Sequence, residues 1–172
     1  LYGHVYDWAL RQGFAVLSCD FPGHGLSSGA RASINSFQEY QQVLQALLAK
    51  AEQLQLPKPW HLLGQSTGGA IAFDYLLNQS PVSQLGETIL LAPLVRPRAW
   101  QQSKLLYQLV KPFRRSVPRN FSNNSNDAAF VEFVRNDPLQ ARILPTAWVG
   151  ALAEWISYIE QAKPSGRSPI IV

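Results

Sequence analysis

Short apolar runs that alternate with helical patterns constrain the fold of this chain most strongly. WHLLGQ, ETILLAPLV and SPIIV have the composition of strands, and TGGAIAFDYLLNQ, between the first two, has that of a helix. FAVLSC, at 14–19, is a further run of this kind, and it predicts a strand covered on both faces. Strands separated by helices need crossover connections, so they pair in parallel. The sequence therefore predicts an α/β fold with a parallel sheet flanked by helices.

Two more helical patterns lie before the first of these alternating units. Residues 2–12 carry apolar side chains at helical spacing and end before Gly13, which suits a left-handed C-terminal cap. The sequence SFQE at 36–39 is a capping box, and the helix behind it is expected to run to about Gln55. Between the two patterns, residues 20–33 are rich in Gly, Pro and Ser and are predicted to form a loop.

The alternation of strands and helices breaks off in the second half of the chain. Residues 96–164 show no strand pattern but three or four helical stretches, the last of them at 146–162. The apolar residues of that last stretch share one face: Trp148, Leu152, Trp155 and Ile159. We therefore expect residues 1–95 to belong to the core, 96–164 to form an inserted helical cap, and 165–172 to return to the core sheet.

Composition bounds the class of protein. The chain has 172 residues, of which 47% are hydrophobic and 15% charged, so it has enough apolar side chains for one globular core. It contains no run of about 18 apolar residues, so no membrane span is predicted. The single cysteine, Cys19, excludes an internal disulfide and leaves the compartment open, with a cytoplasmic or membrane-peripheral location favoured. Because the chain lacks Met and stops within an apolar run, we expect it to be the central part of a longer protein.

A serine flanked by glycines lies where the WHLLGQ run meets the following helical pattern. This G-Q-S-T-G sequence fits a nucleophile elbow, in which a tight turn from strand to helix exposes the serine hydroxyl in a strained conformation. Side chains at Gly64 and Gly68 are expected to collide with the backbone, and Gly69 to make room for helix against strand. Ser66 is thus predicted as the nucleophile, and the backbone N–H of Thr67 as an oxyanion donor worth roughly 3–4 kcal/mol. The alternative is a chance G-x-S-x-G in a glycine-rich loop, which the flanking strand and helix disfavour.

The chain offers this serine no base in the expected order. A serine hydroxyl needs an adjacent base, and where a serine occupies such an elbow the acid and then the histidine follow it along the chain. His4, His24 and His61 all precede Ser66. We interpret His24 as a hydrogen-bonding residue of its glycine-flanked turn, and the other two histidines as structural. The acids after the serine are poorly placed for a triad: Asp74, Asp127 and Asp137. No metal or cofactor site is predicted, because Cys and His lack ligand spacing.

Positive charge is concentrated in the cap. Residues 96–119 hold seven basic residues and no acid, interleaved with large apolar side chains. Such an amphipathic basic segment suits peripheral contact with a membrane, here through Arg114 and Arg115, or else is simply a solvated surface. Nucleic-acid binding is not predicted, because no binding motif accompanies the charge.

Several stretches together resemble the α/β-hydrolase superfamily, and within it the monoacylglycerol lipases, lysophospholipases and serine aminopeptidase-type hydrolases. The stretches are YGHVYDWALRQGFAVLSCD, FPGHGLSSG, HLLGQSTGGAIA, ILLAPLV and DPLQARILPTAWVGALAEW. The chain departs from the usual pattern at Pro22, where the family has Arg, and at Gln65-Ser66-Thr67, where it has His-Ser-Met.

The resemblance implies a cofactor-free serine hydrolase that cleaves carboxylic esters through an acyl-serine. Lipid-like esters such as monoacylglycerols or lysophospholipids are the implied substrates. It also implies that the triad acid and histidine follow Val172 and that the second oxyanion donor precedes the first helix. The isolated chain is therefore expected to be inactive. An S33-type aminopeptidase and a non-catalytic, hydrolase-like binding protein remain as alternatives.

Overall fold

The fold is that of a computed structural model, which describes residues 2–78, 84–119 and 126–172. The helices are α1 (Gly3–Arg11), α2 (Gln38–Gln53), α3 (Thr67–Asn78), α4 (Trp100–Val110), α5 (Ala128–Asn136) and α6 (Thr146–Ile159). The strands are β1 (Trp60–Gln65), β2 (Leu85–Leu91), β3 (Ser116–Pro118), β4 (Ile143–Pro145) and β5 (Ile170–Ile171). Within the described ranges, no helix is both long and apolar enough to cross a membrane.

The central feature is a three-stranded parallel sheet in the order β1-β2-β5. Leu63 of β1 lies opposite Ile89 of β2, and Ile89 in turn lies opposite Ile170 of β5. Helix α3 connects β1 to β2 and packs on both strands, as a parallel crossover requires. The predicted α/β class is confirmed, and β5, in the SPIIV segment, pairs with β2.

The core is built by side chains that several elements turn inward. Tyr40, Ile71, Leu90 and Leu152, from α2, α3, β2 and α6, are at most 2% exposed. The predicted capping box precedes helix α2. The Glu39 carboxylate accepts hydrogen bonds from the backbone N–H groups of Asn35 and Ser36, and Ser36 Oγ accepts one from Gln38 N–H at 3.2 Å. The apolar face of α6 packs on this core, so its aromatic residues are packing residues.

The helical block at 96–164 contains a small sheet that the sequence did not predict. Strands β3 and β4 pair antiparallel, with Val117 opposite Leu144, between α4 and α6. Each strand has three residues, which is too short to show an alternating pattern. Helix α6 ends at Ile159 rather than at 162. Most of the loop predicted at 119–127 lies outside the described residues.

The strand predicted at 14–19 is wrong. The segment forms neither strand nor helix, and Phe14 and Val16 are 50% and 40% exposed. A strand requires a neighbour that completes its hydrogen-bond ladder, and no described strand pairs with this segment. The expected cap before it is confirmed, because Gly13 has a φ of 83° after the end of α1.

Candidate active site

Ser66 occupies a sharp bend between β1 and α3. Its φ is 50°, a left-handed conformation that costs a non-glycine residue about 1–3 kcal/mol. The backbone around it is fixed, because Ser66 N–H donates to Leu91 O at 3.0 Å, and Ser66 O accepts from Ala70 N at 3.0 Å and Leu94 N at 2.9 Å. The residue is exposed. The bend has the form that the sequence predicted for a nucleophile elbow.

The glycines of the bend do not contribute equally. A Cβ on Gly64 would lie 2.4 Å from Gly68 O, and one on Gly69 would lie 3.0 Å from Pro93 Cα. A Cβ on Gly68 would meet nothing within 4 Å. The collision expected at Gly68 is therefore wrong, because a side chain on Gly68 would point into open space. The carbonyl group of Gly68 instead lies where a side chain on Gly64 would be.

The backbone N–H of Thr67 lies at the first residue of α3. Amides in the first turn of a helix have no partner within the helix. Among the described residues, Thr67 N–H donates to no acceptor, backbone or side chain. The positive end of the helix dipole adds to its attraction for a negative oxygen. The arrangement can therefore stabilise an anion that forms next to the Ser66 hydroxyl.

The glycine-rich loop at 20–33 is held by its own hydrogen bonds. The Asp20 carboxylate accepts from Leu26 N–H at 3.0 Å, and a Cβ on Gly25 would lie 2.1 Å from that carboxylate. The imidazole Nδ1 of His24 lies 3.0 Å from the carbonyl of Pro22. His24 thus makes the local hydrogen bond that the sequence predicted.

Within the ranges that the structure describes, no histidine hydrogen-bonds to Ser66. His61 Nδ1 accepts a hydrogen bond from Glu87 N–H at 3.1 Å, and His4 is exposed on α1. Asp127 caps α5 by accepting from two backbone N–H groups, and Asp137 accepts from Leu139 N–H at 2.8 Å. Both acids therefore lie at helix boundaries.

Asp74 is the polar residue whose surroundings the sequence did not predict. The sequence placed it poorly for a triad and said nothing of its burial, and the residue is only 4% exposed. Burial raises the pKa of its carboxyl, and the nearby donor groups of Trp155, Asn78 and Gln41 offset part of this rise. Of these, the Asn78 side-chain amide donates a hydrogen bond to the carboxylate. The signal for this burial in the sequence was an acid within the apolar run AIAFDYLL, because such a residue becomes buried when other elements pack on that helix.

A cleft of about 1080 Å³ lies between α1, the loop at 20–33 and the segment around α5. Tyr2, His24, Arg31 and Phe133 are among the residues that line it, and Ser66 is not. The cleft adjoins the elbow through Tyr2, whose hydroxyl donates to the side chain of Gln65 at 2.6 Å.

The basic segment at 96–119 exposes an apolar surface. Four side chains along α4 and just after it are between 60% and 85% exposed: Leu105, Leu106, Leu109 and Phe113. Arg114 and Arg115 follow them and are also exposed. In the part of the chain that the structure describes, no cluster of His, Cys, Asp or Glu could hold a metal ion.

The chain matches the family model described as serine aminopeptidase, S33, over residues 1–172. The chain belongs to this family of α/β-hydrolases. Phospholipase YtpA of Bacillus subtilis is 37% identical to this chain over 78 residues, which are 43% of this chain and 29% of the phospholipase. An uncharacterised abhydrolase domain-containing protein of Dictyostelium discoideum is 32% identical over 96 residues, 56% of this chain and 10% of that protein. The matched part of this chain thus spans under a third of the length of each of these two relatives.

Solved structures show the same fold. The monoacylglycerol lipase of Paleococcus ferrophilus superposes with a TM-score of 0.80 at 18% identity, covering 99% of this chain and 66% of the lipase. A soluble variant of the monoglyceride lipase of Saccharomyces cerevisiae superposes with a TM-score of 0.62 at 16% identity, covering 81% and 49%. At these identities the superpositions establish the fold of this chain and nothing about its substrate.

Proposed function

We propose that this chain supplies the nucleophile, Ser66, of a serine hydrolase that cleaves carboxylic esters. The observation that carries the proposal is the strained, exposed bend at Ser66, followed directly by a helix N-terminus. Strain in an exposed residue persists only where the surroundings hold it, and here three backbone hydrogen bonds do so.

In the proposed reaction, Ser66 Oγ attacks the ester carbonyl and a histidine takes its proton. The carbonyl oxygen becomes negative, and Thr67 N–H donates to it. The tetrahedral intermediate collapses to an acyl-serine, and the alcohol leaves with the proton from the histidine. Water then attacks the acyl-serine, and the acid is released as Ser66 recovers its proton.

We propose that the histidine and the acid of this reaction lie outside this chain. None of its three histidines hydrogen-bonds to Ser66 in the described residues. Loss of the base from a triad costs about a millionfold in turnover. We therefore propose that the 172-residue chain is inactive by itself, and that activity belongs to an intact protein that contains it.

A lipid-like ester, such as a monoacylglycerol or a lysophospholipid, is the proposed substrate. The relative YtpA is called a phospholipase, and two similar structures are called lipases.

We propose that residues 96–164 form the cap over the site. The second candidate is a peptidase that uses the same serine, because the matching family is described as a serine aminopeptidase.

The basic cap is proposed to contact an anionic lipid surface. Its exposed leucines and Phe113 provide apolar area, and Arg114 and Arg115 attract negative headgroups. Each basic residue near such a surface is worth about 1 kcal/mol, so replacing both arginines by Gln should weaken vesicle binding roughly thirtyfold. Co-sedimentation with phosphatidylserine vesicles measures this, with Arg11→Gln/Lys50→Gln as the control. Unchanged binding by the Arg114/Arg115 variant would show that this surface is only solvated.

The function is tested by assaying the intact purified protein on monoacylglycerols, lysophospholipids and aminoacyl amides. We expect ester hydrolysis that falls by about a millionfold in Ser66→Ala, with unchanged melting temperature. Cleavage of amides alone would favour the aminopeptidase. Equal activity of wild type and Ser66→Ala, or no hydrolysis by either, would remove Ser66 from the mechanism and favour a binding protein.

A further inference from the structure

The chain bends sharply where β2 ends, beside the elbow. Ala92 directly follows β2 and has a φ of 40°. This left-handed conformation is uncommon for a residue with a side chain, and the residue before a proline, here Pro93, favours extended backbone instead. The side chain of Ala92 is exposed, so its own packing does not hold the bend. Strain of this kind persists only where surrounding contacts impose it.

Hydrogen bonds and packing fix the chain on both sides of the bend. Ala92 N–H donates to the carbonyl of Val172, and Val172 N–H donates to Leu90 O, both at 2.9 Å. These bonds tie the start of the bend to the end of the sheet. Two residues after Ala92, the side chain of Leu94 packs against the hydrophobic core. The bend therefore connects two anchored points.

The residues on either side of the bend hold the backbone of Ser66. Ser66 N–H donates to Leu91 O at 3.0 Å, and Ser66 O accepts from Leu94 N–H at 2.9 Å. Strands β1 and β2 run parallel, with Gln65 opposite Leu91. A strand advances by about 3.3 Å per residue, so a chain that continued straight past Leu91 would carry Leu94 away from the elbow. The turn at Ala92 brings Leu94 N–H back to Ser66.

The carbonyl of Ser66 belongs to the same peptide group as the N–H of Thr67. A trans peptide group is planar, and its C=O and N–H point in opposite directions. The bonds that fix Ser66 O therefore also fix the direction of Thr67 N–H. One of these bonds comes from Ala70 N–H, within α3, and moves with that helix. The bond from Leu94 N–H is the one that orients this peptide group relative to the sheet.

We propose that Ala92 is a positioning residue of the elbow. Its left-handed bend directs Leu94 N–H onto Ser66 O, and this aims Thr67 N–H at the oxygen that becomes negative. The inference rests on the proposed function of Ser66, and it adds a residue from outside the G-Q-S-T-G sequence. An oxyanion donor acts on the transition state more than on the bound substrate. A misdirected Thr67 N–H should therefore lower kcat and leave KM nearly unchanged.

The test compares Ala92→Val with Ala99→Val in the intact protein. A β-branched side chain strongly disfavours positive φ, so Ala92→Val should open the bend and withdraw Leu94 N–H from Ser66. Ala99 is the matched control, because it is also exposed and has a φ of 54°, at the start of α4. Within the described ranges, no backbone hydrogen bond joins Ala99 to the elbow.

We expect kcat for ester hydrolysis to fall about hundredfold in Ala92→Val, as after loss of one oxyanion donor, with KM nearly unchanged. The rate at which a fluorophosphonate labels Ser66 should fall with kcat. Ala99→Val should lower the melting temperature by a similar amount but keep the kcat of the wild type. Ala92→Gly should also keep that kcat, because glycine adopts positive φ without strain.

A folded Ala92→Val with the kcat of the wild type would overturn the inference. An equal fall of kcat in Ala99→Val or in Ala92→Gly would do the same, since neither variant removes the bend. If Ala92→Val does not fold, residue-resolved amide exchange of the wild type decides. Leu94 N–H should then be as protected as Ala70 N–H, and rapid exchange at Leu94 alone would overturn the inference.

Failure of the proposed function has a different signature. A wild-type protein that neither hydrolyses esters nor reacts with the fluorophosphonate at Ser66 would contradict the hydrolase itself. The exchange of Leu94 N–H would still decide whether the bend at Ala92 holds the backbone of Ser66.

Discussion

Replacement of Gly64 by Ala probes the elbow directly. The new Cβ would lie 2.4 Å from Gly68 O, 2.5 Å from Gly68 C and 2.7 Å from Gly69 N, all well below ordinary contact distance. All three are backbone atoms at the start of α3, so no side chain can rotate away to relieve the overlap. The strand and the helix must therefore separate.

The cost can be estimated from the behaviour of overpacked sites. Inserting a methyl group into a filled space typically costs about 1–3 kcal/mol, and the rigid backbone contacts place Gly64→Ala at the upper end, about 3 kcal/mol. For a chain of this size, 1 kcal/mol corresponds to about 2–4 °C in melting temperature, which gives a fall of about 6–12 °C. Gly68→Ala is the matched control, since its Cβ meets nothing and Ala is favoured over Gly in helices by up to about 1 kcal/mol.

The assay is thermal unfolding followed by far-UV circular dichroism, with urea denaturation to obtain the free energy of unfolding. The reasoning predicts a strongly destabilised Gly64→Ala beside a Gly68→Ala that is unchanged or slightly stabilised. Equal melting temperatures for the two variants would refute the close approach at Gly64.

Two further predictions concern helix α5 and the core. Asp127→Ala should lower the free energy of unfolding by about 1 kcal/mol, because it removes the N-cap of α5, whereas Asp127→Asn should retain the cap. Urea denaturation of the two variants measures this, and equal losses of stability would exclude capping as the cause. Tyr40→Phe should lower the free energy of unfolding by about 1–3 kcal/mol. The Trp148 indole N–H donates to the Tyr40 hydroxyl at 3.2 Å and would lose this acceptor. A melting temperature equal to that of the wild type would show that water replaces the hydroxyl.

The sequence predicted the alternating part of the fold because its signals are local. The strand at Trp60–Gln65, the helix after it and the bend between them each follow from a run of neighbouring residues. The strand expected at 14–19 failed because pairing is a long-range property that composition does not encode. The sheet of β3 and β4 was missed for the opposite reason, since two three-residue strands carry almost no pattern.

At the candidate site, the sequence identified the bend but not the contacts around it. The need for Gly64 was predicted from the motif, whereas the open space at Gly68 depends on the direction of one Cα–Cβ bond in the folded chain. Asp74 was visible as a polar residue in an apolar helix. Its burial depends on α6, which lies far along the chain, so that burial could not be inferred from the local pattern.

The most direct measurement is covalent labelling of the intact protein with a fluorophosphonate, followed by mass spectrometry of its peptides. Our account predicts a single phosphonylated residue, Ser66, and no labelling of the Ser66→Ala variant. Labelling at another serine, or ester hydrolysis by a protein whose Ser66 stays unmodified, would contradict it.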